Sequence, residues 1–243
     1  MAHIKNWRDQ QPEVAHLSAI RWPGLRQRNA TPKHDEDDSP QLHNLQGVVK
    51  HGLQGRKTSD HHKHPQTEQA YYIISGSGEV LVGDDRFSVR SGDAVYLPAD
   101  IHHQMFNDMN DEWLEHLVLS KNIDTEPGGE CVIRNWEDVL PISDGAGAIR
   151  WHQLGPVGEE NTGCLKSIAF IDREAVQPGQ QSIVRCYDDI ELGFWILENQ
   201  GTLVTSDGEQ HITEGDVVHL PPGTSYHIEN PHSEWLSYMI IAG

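Results

Sequence analysis

Cysteine is scarce in this chain, and basic residues are outnumbered two to one. The 243 residues include three cysteines, Cys131, Cys164 and Cys186. They are odd in number, far apart and without a C-x-x-C pair, which fits buried free thiols in a reducing compartment and leaves none of them a strong metal-ligand candidate. Eighteen Lys and Arg face 37 Asp and Glu, a formal net charge of −19. Such a field repels phosphodiester backbones and anionic membranes, so neither nucleic acid nor a membrane is an expected partner. No apolar run approaches the roughly 18 residues of a membrane helix. The opening MAHIKNWRDQQPEV is polar where a secretory signal needs an apolar core, and a cytoplasmic location is expected. Helical periodicity is weak as well, apart from a turn at NWRDQQPEV and at NWEDVLPI.

What is present is a repeat. Ile4 to Asp9 read IKNWRD and Ile133 to Asp138 read IRNWED, 129 positions apart, and Ala19-Ile20-Arg21-Trp22 returns at the same offset as Ala148-Ile149-Arg150-Trp151. Farther along the offset is 123: Gly92-Asp93 matches Gly215-Asp216, Pro98 matches Pro221 and Asn107 matches Asn230. The first copy therefore carries six extra residues, placed by their turn-rich composition in RNATPKHDEDDSP, an exposed loop. A repeat this long predicts two copies of one domain, residues 1–128 and 129–243, each with its own leader. In both copies short β-branched and aromatic runs alternate with Gly and Asp turns, which predicts an all-β architecture. Trp7 and Trp136, one per leader, are expected to pack on the barrels, each leader crossing to the partner copy.

The copies differ in histidine. His62 and His64 are two residues apart and project to the same side of an extended strand, while His103 follows a Gly-Asp turn and a proline that introduce a neighbouring strand. Three imidazoles converging from two strands are a first shell for a transition metal. At offset 123 these positions are Arg185, Tyr187 and Tyr226, so one metal site is expected, in the first copy, and a metal-free second barrel.

The spacing H-x-H-x4-Q-x6-G over His62, His64, Gln69 and Gly76 is followed by G-x5-P-x-D-x2-H-x3-N over Gly92, Pro98, Asp100, His103 and Asn107. It resembles the two-part signature of the cupin superfamily. The second copy resembles the second part through Gly215, Pro221, Gly223 and Asn230. The resemblance covers nearly the whole chain and implies a bicupin, two tandem jelly-roll β-barrels formed by internal duplication. It implies one divalent transition metal, Fe, Mn, Ni, Co, Cu or Zn, held by His62, His64, His103 and a fourth ligand. The family usually places glutamate where Gln69 stands, with Glu68 one position earlier. Strand neighbours face opposite ways, so only one of them points at the metal. Counting from Gly76 favours Gln69, and Glu68 has a counterpart, Glu191, in the copy without a metal motif, which suits a structural role.

With Gln69 inward, Tyr71 and Ile73 follow it into the cavity and Tyr72 and Ile74 face the other way. Tyr71 is then the candidate acid, base or hydrogen-bond donor, and Met105 an apolar wall. His16, His34, His43 and His152 read as surface or loop residues. His61 and His102 point away from the metal, with supporting contacts as their alternative role. The run His34-Asp35-Glu36-Asp37-Asp38 reads as a solvated loop. In the second barrel, Arg185 with Tyr187, Tyr226 and Trp195 makes either a charged pocket for a carboxylate or sugar, or a filled structural interior.

The function implied is a metal-dependent enzyme for a small oxygen-rich or anionic substrate, with a dioxygenase favoured. A redox-neutral isomerase or lyase acting on a sugar acid is the alternative, and a non-catalytic ligand-binding bicupin a third. A three-His, one-Gln set is neutral and leaves the ion its full charge, which favours an anion. A monomer is compatible with two fused barrels, as is a homodimer.

Overall fold

The computed structural model describes residues 2–32 and 37–243; His34, Asp35 and Glu36 of the acidic run lie outside the described residues. Strands dominate, with single 3-10 turns at Trp7–Asp9 and Trp136–Asp138 where the two NW segments predict them. Among the described residues two eight-stranded and two four-stranded sheets form, one of each kind per copy. In the first large sheet Thr67–Ser75 runs between Asp93–Leu97 and Leu114–Asn122. Its counterpart Leu192–Glu198 runs between Asp216–Leu220 and Leu236–Ala242. The small sheets centre on Ser77–Val82 and Gln200–Thr205. Two tandem all-β barrels related by duplication are the result. Among the described residues no helix is long and apolar enough to cross a membrane.

Period-two alternation divides the central strands between two cores. From Thr67–Ser75, Tyr71 and Ile73 enter the first barrel's interior, while Ala70 and Tyr72 join a cluster that also contains Trp195, Met239 and Ile241 of the second copy. That shared cluster is the joint between the barrels. Trp195 belongs to it and is turned away from the second barrel's interior, which holds Phe194 and Ile196 instead. The expected place of Trp195 beside Arg185 is thereby corrected, because Trp195 has the parity of Tyr72.

The leaders exchange. His3–Asn6 adds an edge strand to the second barrel's sheet against Asp216–Leu220, and Val132–Asn135 does the same to the first barrel's sheet against Asp93–Leu97. The repeated motifs explain why. Asn6 Nδ2 donates to Asp216 Oδ1 at 2.8 Å, and Asn135 Nδ2 to Asp93 Oδ1 at 2.7 Å. Gly92 and Gly215 stand at φ +88° and +87°, and a Cβ on either would come within 2.5 Å of Trp136 or 2.7 Å of Trp7. Only glycine allows both the left-handed turn and the indole's approach. Trp7 then packs edge-on against Trp22, and Trp136 against Trp151, at 5.0 and 5.1 Å. A cut at residue 128 follows the sequence repeat, whereas each leader ties one barrel to the other.

Candidate metal centre

His62 and His103 meet across a single antiparallel bridge, with N–H to O distances of 3.2 and 2.8 Å. His62 and His64 lie on an extended segment, not on a regular strand; beyond the bridge His64 O accepts from the Asp100 N–H at 2.8 Å, and Pro65 ends the segment without a donor. The rings of His62, His64 and His103 have centroids 4.5 to 5.5 Å apart. One ligand atom from each lies within 4.8 Å of the others, a group able to hold a metal ion.

Tautomers are set by the backbone. His62 Nδ1 sits 3.3 Å from Asp60 O and His103 Nδ1 3.2 Å from Ile101 O. Each carbonyl takes the Nδ1 proton and leaves the Nε2 lone pair for a metal. His103 Nε2 is buried without a partner, as is Gln69 Oε1. Burial, with His62 close by, pushes the His103 imidazole down to about 3, and burial likewise lowers His64. Neutral imidazoles and an open amide oxygen fit a divalent ion.

Glu68 faces the other way. Its carboxylate accepts the backbone N–H groups of Lys166, Ser167 and Ile168 of the second copy, at 2.8, 2.6 and 2.5 Å. Glu191 does the reciprocal work on His43, Asn44 and Leu45 of the first copy, at 2.7, 2.9 and 2.9 Å. Against the upward pull of burial, His219 and these amides hold the Glu191 carboxyl below its ordinary value.

A small cavity of about 20 Å³ borders the trio, lined by His62, Gln69, Tyr71 and Met105, and also by His16, His51 and His116. Tyr71, its ring 6.2 Å from His103, is buried, and burial raises its phenol so that it stays a neutral donor. His51 and His116 lie outside the motif, so no spacing points to them. Their only signal is position, in the register pair His51 to His116 beside the strand of Gln69.

His16 also departs from expectation. The hairpin tip places it at φ +48°, stacked 4.7 Å from His62 with Nδ1 2.9 Å from Asp60 Oδ1, so it is part of the site and not a free surface residue. A tight turn between short strands carries it across the barrel mouth, a fact of tertiary structure. His152 is held as well, between Asp172 Oδ1 at 2.7 Å and Glu159 Oε2 at 3.0 Å. His43 is exposed as expected, and His61 and His102 stack on each other at 4.8 Å in the open. Cys131 and Cys164 are half-buried free thiols, but Cys186 is exposed, against expectation. It alternates with Arg185 and Tyr187, which turn inward, just as its repeat counterpart Lys63 is exposed between His62 and His64.

The second barrel repeats the geometry with other chemistry. Arg185 and Tyr226 form the bridge that His62 and His103 form in the first. Arg185 Nη1 donates to Glu174 at 2.8 Å and its Nη2 lies 3.5 Å from Asp144, while Arg150 pairs with Asp172 at 2.5 Å. The Tyr238 hydroxyl donates to Glu174. Fixed ion pairs and tyrosines occupy the place of the trio.

The family model described as "Cupin domain" matches residues 51–116, the segment that contains the trio and Gln69. An uncharacterized protein of Methanocaldococcus jannaschii is 37% identical over 46 residues, 19% of this chain, and the match spans 37% of that protein's length. Three solved structures are similar over nearly the whole chain. A bacterial pirin of Escherichia coli in complex with nickel(II) has a TM-score of 0.76 at 13% identity, with 99% of this chain and 98% of that one covered. An oxalate decarboxylase of Lactobacillus farciminis in a formate complex has 0.75 at 14%, covering 98% and 85%. A protein of Geobacillus kaustophilus has 0.74 at 16%, covering 99% and 94%. At these identities the likeness is one of fold. Residues 51–116 are thus similar to the cupin domain, and the chain as a whole has the two-barrel fold of these solved structures.

Proposed function

We propose that the protein is a metal-dependent enzyme that converts a small anionic, oxygen-rich molecule in its first barrel. The observation that carries this reading is the convergence of His62, His64 and His103 within 4.8 Å beside the unpartnered His103 Nε2 and Gln69 Oε1. Those four residues would hold one divalent transition ion, which when bound supplies Lewis-acid polarisation of a substrate oxygen. The rest is the work of the chain. Asp60 and Ile101 carbonyls orient His62 and His103, Tyr71 offers a neutral donor, and Met105 excludes water.

The engagement of Glu68 with three amides supports Gln69 as the fourth donor. A neutral donor set favours redox-neutral lyase or isomerase chemistry on a carboxylate, and the likeness in fold to an oxalate decarboxylase agrees with that substrate class. A dioxygenase is the second reading, favoured by the apolar wall of Leu53, Met105 and Val118 beside the trio. Elemental analysis of natively purified protein, followed by incubation with a panel of short-chain carboxylates under argon and in air, tests both. About one metal per chain and full turnover under argon are expected. Turnover that requires and consumes oxygen would establish the dioxygenase instead, and absence of metal from native protein would overturn the proposal.

A further inference from the structure

Behind the trio the interior carries a second pair of histidines. His51 and His116 are cross-strand partners with ring centroids 5.5 Å apart, and the Tyr71 ring lies 4.9 Å from His116. Both imidazoles are buried, at 6% and 3% exposure. His116 Nδ1 has no hydrogen-bond partner, nor has Gln69 Oε1, and both residues line the cavity of about 20 Å³. A buried polar atom left open is destabilising until a ligand atom meets it.

The second barrel is an internal control. Its register pair Glu174 to Tyr238 is the counterpart of His51 to His116. There the tyrosine hydroxyl donates to Glu174 Oε1, which also accepts from Arg185, so the two partners are bonded to each other, while Glu174 Oε2 keeps no hydrogen bond. In the first barrel the same positions carry groups that do not satisfy each other. A structural role would have the histidines paired, as their counterparts are.

Size and charge specify the guest. A water needs roughly 10–15 Å³ of such space, so about 20 Å³ is room for a water-sized group such as one carboxylate oxygen and excludes a sugar ring. Burial holds His51 well below its ordinary value and His116 at about 3, so both face the cavity as neutral rings. Tyr71 and Gln69 are neutral too. Neutral donors next to a cation-binding trio suit a carboxylate whose charge is met by the metal and whose other oxygen is met by the pocket.

We propose that His51 and His116, with Tyr71, form the distal half of the substrate site and bind the carboxylate of a short-chain acid held at the trio. This rests on the metal reading above. The test is formate titrated into the cobalt(II)-loaded full chain, read from the visible d–d spectrum, for the wild type, His116→Leu, His51→Leu and His116→Gln. Formate should perturb the wild-type spectrum. Either leucine variant should bind it at least about tenfold more weakly with cobalt content unchanged, and His116→Gln should recover to within about threefold. Equal formate affinity in His116→Leu and wild type, or no response in the cobalt-loaded wild type, would overturn the pocket. Failure of the wild type to take up cobalt would overturn the metal reading instead. Formate-induced shifts of the Tyr71 ring signals in the metal-free chain then decide the pocket separately, their presence supporting it and their absence refuting it.

Discussion

The two barrels share a skeleton and differ in what they do with the polar groups inside it. Both keep the Gly-Asp turn, the asparagine of the crossing leader that docks on it, the glutamate that holds three amides of the other barrel, and the bridge at the site. In the second, Arg185 pairs with Glu174 and Asp144 and Tyr238 donates to Glu174, with Glu174 Oε2 and the Tyr226 hydroxyl left without a hydrogen-bond partner. In the first, His103, His116 and Gln69 leave buried atoms open. Shared features mark what folding requires, and the open atoms gathered beside the imidazole trio mark where a ligand is expected.

The largest break in this comparison should come from the second barrel. Arg185→Met strips buried Glu174 of its nearer cation, leaving Arg150 Nε at 4.0 Å, and should cost about 3–5 kcal/mol in urea unfolding, much of it recovered in the Arg185→Met, Glu174→Leu double variant. Metal content should not change in either. Next is His103→Ala, which should weaken metal binding by more than about 100-fold, beyond the 10–100-fold typical of losing a supporting partner, with little change in the stability of the metal-free chain. Elemental analysis after dialysis checks it, and two metals per chain in the wild type would contradict a metal-free second barrel. Smaller again is Glu68→Gln, which weakens three charge-assisted hydrogen bonds and should cost about 1–3 kcal/mol while metal content stays the same. Loss of metal in that variant would make Glu68 the ligand.

The smallest effect is a difference in pH response. In the metal-free chain His116, at about 3, binds its proton far less readily than in the unfolded chain, at roughly 6.5. Its contribution is present above about pH 6.5 and is lost as the pH falls toward 3. His152 is the opposite case: its hydrogen bond to Asp172 raises it, so its contribution is full below about 6.5 and is lost as the pH rises through the raised value. Unfolding of His116→Leu should therefore show a shallower acid limb than the wild type, and His152→Asn a smaller decline on the alkaline side. Identical pH profiles for all three would refute the assignment.

Duplication, all-β architecture, the trio and the parity of Gln69, Tyr71 and Ile73 are legible in the sequence because they depend on spacing and on period-two alternation, which are local. The role of Glu68 as a structural residue is legible too, through its counterpart Glu191. Only the tertiary structure brings His16, His51 and His116 to the cavity, since they come from a hairpin tip and two strands outside the motif. It also turns Trp195 into the joint between barrels and closes Arg185 on Glu174. Local pattern decides which face a side chain takes. Which distant side chains share that face, and whether they satisfy one another there, is settled by how sheets pair and pack.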